Sequence, residues 1–284
     1  AYVLSMIRGE HQSKGGSSPI IRFILGFFVM IGALMFLGCP LRMILRLGGG
    51  DLNALFGIAG FAGGVGIGTI FLKRGYSLQR TYALSKLESA IMPAIQVGLL
   101  VLVVTAPAFI FFSQKGPGAM HAPWLISLAA GLVVGGLSQY SRLCTVGGFR
   151  DLFLFKKSVL IFGYIAVLVG VFAVNISFGN FHLGFENQPV SHTDGLWNFL
   201  GMALAGFCSV LLGGCPLRQL IMTGEGNSDS AVTVLGLAAG AAFAHNFGLA
   251  ASGAGPTLNG QIAVGIGFVV ALIIAVLNTK RSNA

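Results

Sequence analysis

The stretch Gly38-Cys39-Pro40-Leu41-Arg42 recurs letter for letter at Gly214-Cys215-Pro216-Leu217-Arg218. Each copy joins a thiol, a helix breaker and a guanidinium at the end of an apolar run. Proline cannot continue a helix that needs its N–H, and the preceding glycines, Gly38, Gly213 and Gly214, allow backbone conformations that other residues resist. Gly38, Pro40, Gly214 and Pro216 therefore predict helix breaks that shape a pore. Broken backbone at membrane depth is tolerated only inside protein or along a cavity, so each break points to a pathway.

The surrounding composition places these breaks in a bilayer. Of 284 residues, 55% are hydrophobic and 9% charged, against roughly 25% charged in a soluble domain; mean hydropathy is +0.86. Apolar runs of about 20 residues predict eight spans, near 20–38, 52–72, 90–113, 123–140, 157–178, 196–213, 230–250 and 261–278. The runs are continuous rather than alternating, which predicts an all-α integral membrane protein and excludes a β-barrel. The net charge of +9 would suggest nucleic acid in a soluble protein. Here the basic residues flank apolar spans: Lys73, Arg74, Arg80 and Lys86 in one loop, Arg142, Arg150, Lys156 and Lys157 in another, Lys280 and Arg281 in the tail. The loop 179–195 has no Lys or Arg. The positive-inside rule then predicts cytoplasmic basic loops and a cytoplasmic C-terminus, with no nucleic-acid partner.

Shifting the chain on itself by the 176 residues between Cys39 and Cys215 superposes spans 20–38 on 196–213, 52–72 on 230–250 and, more loosely, 90–113 on 261–278. The two copies begin at spans of opposite parity, which predicts an inverted-topology repeat. The expected halves are 1–113 and 114–284. Cys144, in the interrupted segment Ser141–Asp151, has a counterpart position before Ala1, so the first repeat reads as incomplete at its N-terminus, with Ala1 to Ile7 as the end of a helix.

Arg offers fork-shaped donors suited to oxyanions, and a restarting helix adds backbone N–H groups. Arg42, Arg218 and Arg142 are the candidate anion-attracting residues, with Arg46 beside Arg42 on the same side. A lone Cys is more often a small core hydrophobe; the same Cys at both repeat positions, with Cys144 in a third interrupted segment, argues for function. Cys208 has Gly32 at its counterpart position and reads as core. Arg150 and Asp151 read as a local ion pair or a ligand. His182, Glu186, His192 and Asp194 share a loop at spacing too loose for a metal site. The chemistry needs no cofactor or metal, and none is expected.

The chain resembles the YeeE/YedE family of sulfur-transport membrane proteins, most closely the YedE branch associated with selenium metabolism. The marks are GCPLR followed by Gly48-Gly49-Gly50-Asp51, then Cys144 to Asp151, then Gly213-Gly214-Cys215-Pro216-Leu217-Arg218. The resemblance implies a bacterial inner-membrane importer, not an enzyme, in which Cys39, Cys144 and Cys215 relay a small sulfur- or selenium-containing anion such as thiosulfate. It also implies a cytoplasmic TusA-like sulfur carrier as partner. Members of that branch carry a further Cys-containing segment upstream of the first GCPLR. The competing classes are a membrane thiol oxidoreductase, against which the lack of a CxxC pair argues, and a non-transporting structural subunit.

Overall fold

A computed structural model describes residues 1–9, 13–79, 81–106, 109, 111 and 122–279. The basic residues Arg80, Lys280 and Arg281, and the expected boundary between residues 113 and 114, lie outside the described residues. The helices are α1 (Tyr2–Ile7), α2 (Pro19–Phe36), α3 (Pro40–Gly48), α4 (Asn53–Lys73), α5 (Lys86–Thr105), α6 (Trp124–Ser141), α7 (Thr145–Phe155), α8 (Val159–Ser177), α9 (Gly195–Leu212), α10 (Pro216–Gly224), α11 (Ser228–Asn246) and α12 (Leu258–Leu277). Strands are limited, among the described residues, to the antiparallel pair β1 (Lys14–Gly15) and β2 (Tyr82–Ala83).

Seven helical segments among the described residues are long and apolar enough to cross a membrane. The protein is an all-helical, multi-pass membrane protein. The composition predicts an eighth span near 230–250; the helix is there as α11, but Asp229 at one end and His245-Asn246 at the other lower its hydropathy. α11 lies against α2 instead of facing lipid along its length. Large apolar residues of α5, α6 and α8 such as Leu99, Val133 and Phe162 are exposed, as lipid contact requires.

The centre is built from α2, α4, α9 and α11, and small residues set its spacing. A Cβ at Gly64 would stand 2.0 Å from the Ala203 carbonyl oxygen, and one at Gly60 2.0 Å from that of Phe199, so α4 packs backbone-to-backbone on α9. A Cβ at Gly240 would stand 2.5 Å from the Phe27 carbonyl oxygen and one at Gly236 2.2 Å from that of Phe23, so α11 joins α2 in the same way. Both members of each contact are displaced by the same 176 residues between the two sets. Between α2 and α9, a Cβ at Gly32 would stand 2.4 Å from the Gly201 carbonyl oxygen and one at Gly201 2.8 Å from that of Gly32. In lipid, where apolar surface gives little drive for helix association, such close approach supplies the dispersion contacts that hold helices together.

Gly64→Val and Gly240→Val place a branched side chain where a carbonyl now sits, and each is expected to cost about 2–3 kcal/mol or more. Gly131→Ala meets nothing within 4 Å and is expected to be neutral. Thermal unfolding of the detergent-purified protein checks this: equal midpoints for all three variants would remove the glycine contacts as the basis of the packing.

Candidate functional site

Helix α2 ends at Phe36, and Leu37 turns the chain with a left-handed φ of 62°. At the second copy Gly213 makes the same turn at φ 81°. The left-handed residue is thus the one before Gly38 or Gly214, which corrects the expectation that those two glycines are needed for their backbone freedom. Their use is space: the Arg42 stem folds to 3.0 Å from where a Gly38 Cβ would be, and Arg218 and Gln219 crowd Gly214 at 3.4 and 3.3 Å. Pro40 and Pro216 sit at the first position of α3 and α10, where a missing N–H costs nothing.

Each candidate cysteine is the N-cap of a short helix. Cys39 caps α3, its Sγ accepting from the Arg42 N–H at 3.5 Å; Cys144 caps α7, its Sγ accepting from the Gly147 N–H at 3.4 Å; Cys215 caps α10 with a backbone conformation near that of Cys39. These helices have 9, 11 and 9 residues. Each therefore brings the positive end of a helix dipole to a sulfur.

Tertiary structure brings the Cys144 and Cys215 caps together, with Cys39 at longer range. The Cys144 and Cys215 thiols lie close enough to interact, and Thr145 lies against Cys215. Tyr164, on α8, donates its Oη proton to Thr145 Oγ1 and lies within electrostatic reach of Cys215, Cys144 and Cys39. Cys215 is 1% exposed and Thr145 0%, Cys144 and Tyr164 are buried, and Cys39 is half-buried. No disulfide joins any of the four cysteines. Cys208 is fully buried in the apolar core, as its lack of a repeat partner suggested.

The arginines separate into different roles. Arg218 is one turn past Cys215; its Nη1 is buried without a hydrogen bond, 3.9 Å from Glu225 Oε1. It shares with Arg142, Lys14, Gln139 and Glu225 a polar cavity of about 410 Å³. Arg142 is exposed in the left-handed turn between α6 and α7. Arg42 is exposed at the other break.

Arg46, expected beside Arg42 as a cation for an anion to meet, is instead a structural clamp. It donates from Nε to Asp51 Oδ2 at 2.7 Å, from Nη1 to the Phe36 carbonyl at 2.6 Å and from Nη2 to Ser191 Oγ at 2.6 Å, over the Phe36 ring at 4.0 Å. α3 thus returns past the end of α2 rather than continuing it. Asp51 Oδ1 also accepts from Asn53 N and Nδ2, both at 2.9 Å. Nearby, His192 bonds the Met35 carbonyl at 2.8 Å; burial pushes its pKa down, against that bond. No group of His, Cys, Asp or Glu among the described residues could hold a metal. Arg150 and Asp151 pair at 2.8 Å.

Sequence reasoning missed Thr145 and Tyr164. The available signal was a phenol alone in the apolar first half of α8, VLIFGYIAVL, at a depth where a polar group needs a partner.

The sulphur transport family model matches residues 140–280, the stretch that holds Cys144, Thr145, Tyr164, Cys215 and Arg218. The thiosulfate transporter TsuA of Escherichia coli (strain K12) is 27% identical over 115 residues, covering 38% of this chain and 30% of that protein. The alignment thus spans less than a third of the length of the curated relative. Both similarities are to sulphur transport proteins.

Removing one partner of a buried ion pair strands the other, at a cost of about 3–5 kcal/mol. Arg46→Gln is therefore expected to lower the unfolding midpoint sharply, whereas Arg42→Gln, at an exposed site, should shift stability by no more than about 0.5 kcal/mol. Thermal unfolding of the two purified variants checks this, and similar midpoints would show that the clamp does not hold α3.

Proposed function

We propose that this chain is a sulphur transport protein that moves a small sulfur-containing oxyanion of the thiosulfate class across a bacterial inner membrane, inward, through the breaks at Cys39, Cys144 and Cys215. One observation carries the reading: the cysteine-capped starts of α7 and α10, distant in sequence, meet beside a buried pair of hydroxyls, with the Cys39 cap of α3 within electrostatic reach of the same pair. Helix N-termini stabilise an anion, and sulfur offers polarizable, weakly hydrogen-bonding contacts. Arg42 at one break and Arg218 with Arg142 at the other draw the anion toward the path from either end. The glycine contacts repeated at the 176-residue offset support an inverted repeat with halves 1–113 and 114–284. A selenium analogue of the anion fits the same soft contacts, and a TusA-like carrier would accept the cargo on the cytoplasmic side.

A second reading is favoured by the contact between Cys144 and Cys215, a thiol pair formed by the fold where the sequence has no CxxC. A membrane thiol–disulfide exchanger would use that pair and would have no need of Cys39.

Uptake of labelled thiosulfate into proteoliposomes separates the two. Cys39→Ser, Cys144→Ser and Cys215→Ser are each expected to cut uptake at least about tenfold, the scale of one lost contact to a charged group, with Cys208→Ser near the parent. Transport retained in all three overturns the relay, and thiol–disulfide exchange retained in Cys39→Ser without any thiosulfate uptake favours the second reading.

Sidedness is tested separately. A reporter fused after Gly75 is expected to read cytoplasmic and one after Gly184 extracytoplasmic; both on one side would sink the inverted repeat.

A further inference from the structure

The cysteines give the site polarizable sulfur but weak donors, since S–H hydrogen-bonds poorly. An oxyanion also needs strong donors for its oxygens once its water is left behind. Beside the helix N-termini, the side-chain donors here are the hydroxyls of Tyr164 and Thr145, from α8 and the first turn of α7. Both are buried, and they are bonded to each other, so neither is orphaned in this state. Charge-assisted O–H···O⁻ bonds are stronger than neutral ones, so an arriving anionic oxygen displaces the internal bond at a net gain.

We propose that the Tyr164–Thr145 hydroxyl pair is the specificity determinant of this site: it binds the oxygen end of the anion while the three sulfurs face its soft end. The inference rests on the transport reading above. The ligand class it selects is an anion carrying both a terminal polarizable atom and oxygens. Neutral donors suit passage as well as binding, because a conducted ion must be held firmly enough to enter and weakly enough to leave. A cation at this point would hold the anion more strongly. The arginines instead stand beyond the breaks, with Arg218 lining the cavity and Arg42 exposed.

Tyr164→Phe keeps the ring and removes the donor; Thr145→Val keeps the shape and removes the hydroxyl, and Thr145→Ser retains it. In proteoliposomes of the full chain with labelled thiosulfate, Tyr164→Phe and Thr145→Val are expected to raise KM about tenfold, as for one lost hydrogen bond to a charged partner, with Vmax within about twofold of the parent. Thr145→Ser should restore KM. A merely structural role would lower Vmax through loss of folded protein and leave KM unchanged, and that result, or no change in either constant, overturns the proposal while the transport reading stands. Parent protein that neither accumulates thiosulfate nor is protected by it from thiol alkylation at Cys39 overturns the transport reading and this inference together.

Discussion

A helix interrupted at membrane depth must have its freed carbonyls and amides satisfied within the protein, because lipid offers no partner. The break after α2 meets this demand residue by residue. The Ala33 carbonyl accepts from Leu37 and Gly38, Leu34 from the Ala251 N–H, Met35 from His192 and Phe36 from Arg46. Those partners come from α3 and from the two loops preceding α9 and α12. The break therefore requires the loops, the loop preceding α9 is tied through Ser191 to the Arg46–Asp51 clamp, and α3 is held with Cys39 at its start.

The second break is satisfied more loosely. Gly214 N–H returns to the Ser209 carbonyl, and Gln219 Nε2 reaches the Leu212 carbonyl at 3.4 Å. Where Arg46 is fully engaged, the second copy has Met222 at the matching position, and Arg218 keeps a buried nitrogen without a hydrogen bond. Gly50 and Gly226 turn the chain at matching positions, with φ of 100° and 95°, yet Gly50 packs on the His182 carbonyl and Gly226 on that of Ser89. Equal motifs thus sit in unequal surroundings: a closed clamp at one end, a polar cavity at the other.

Much of the fold was legible in the chain. Apolar run length fixes the membrane-crossing segments and their number to within the one whose polar ends dilute it, because spanning a bilayer is a one-dimensional constraint on length and hydropathy. The breaks were legible from Pro40 and Pro216, since proline acts on its own turn. The 176-residue offset was legible because it is an identity of letters.

The meeting of the thiols was not legible. Cys39, Cys144 and Cys215 lie in separate helical units, and nothing local brings Cys144 beside Cys215; Tyr164 meets Thr145 because α8 folds back on α7, and α8 packs on α3 as well. Nor could the sequence distinguish Arg42 from Arg46, two cations one helical turn apart, since only the position of Asp51, Ser191 and the Phe36 carbonyl decides which is buried. By itself the sequence determined an all-helical membrane protein interrupted at three cysteines. Tertiary structure alone decided that the interruptions converge and which charges are spent on holding them, because burial and partner distance are properties of packing across the chain rather than of any stretch within it.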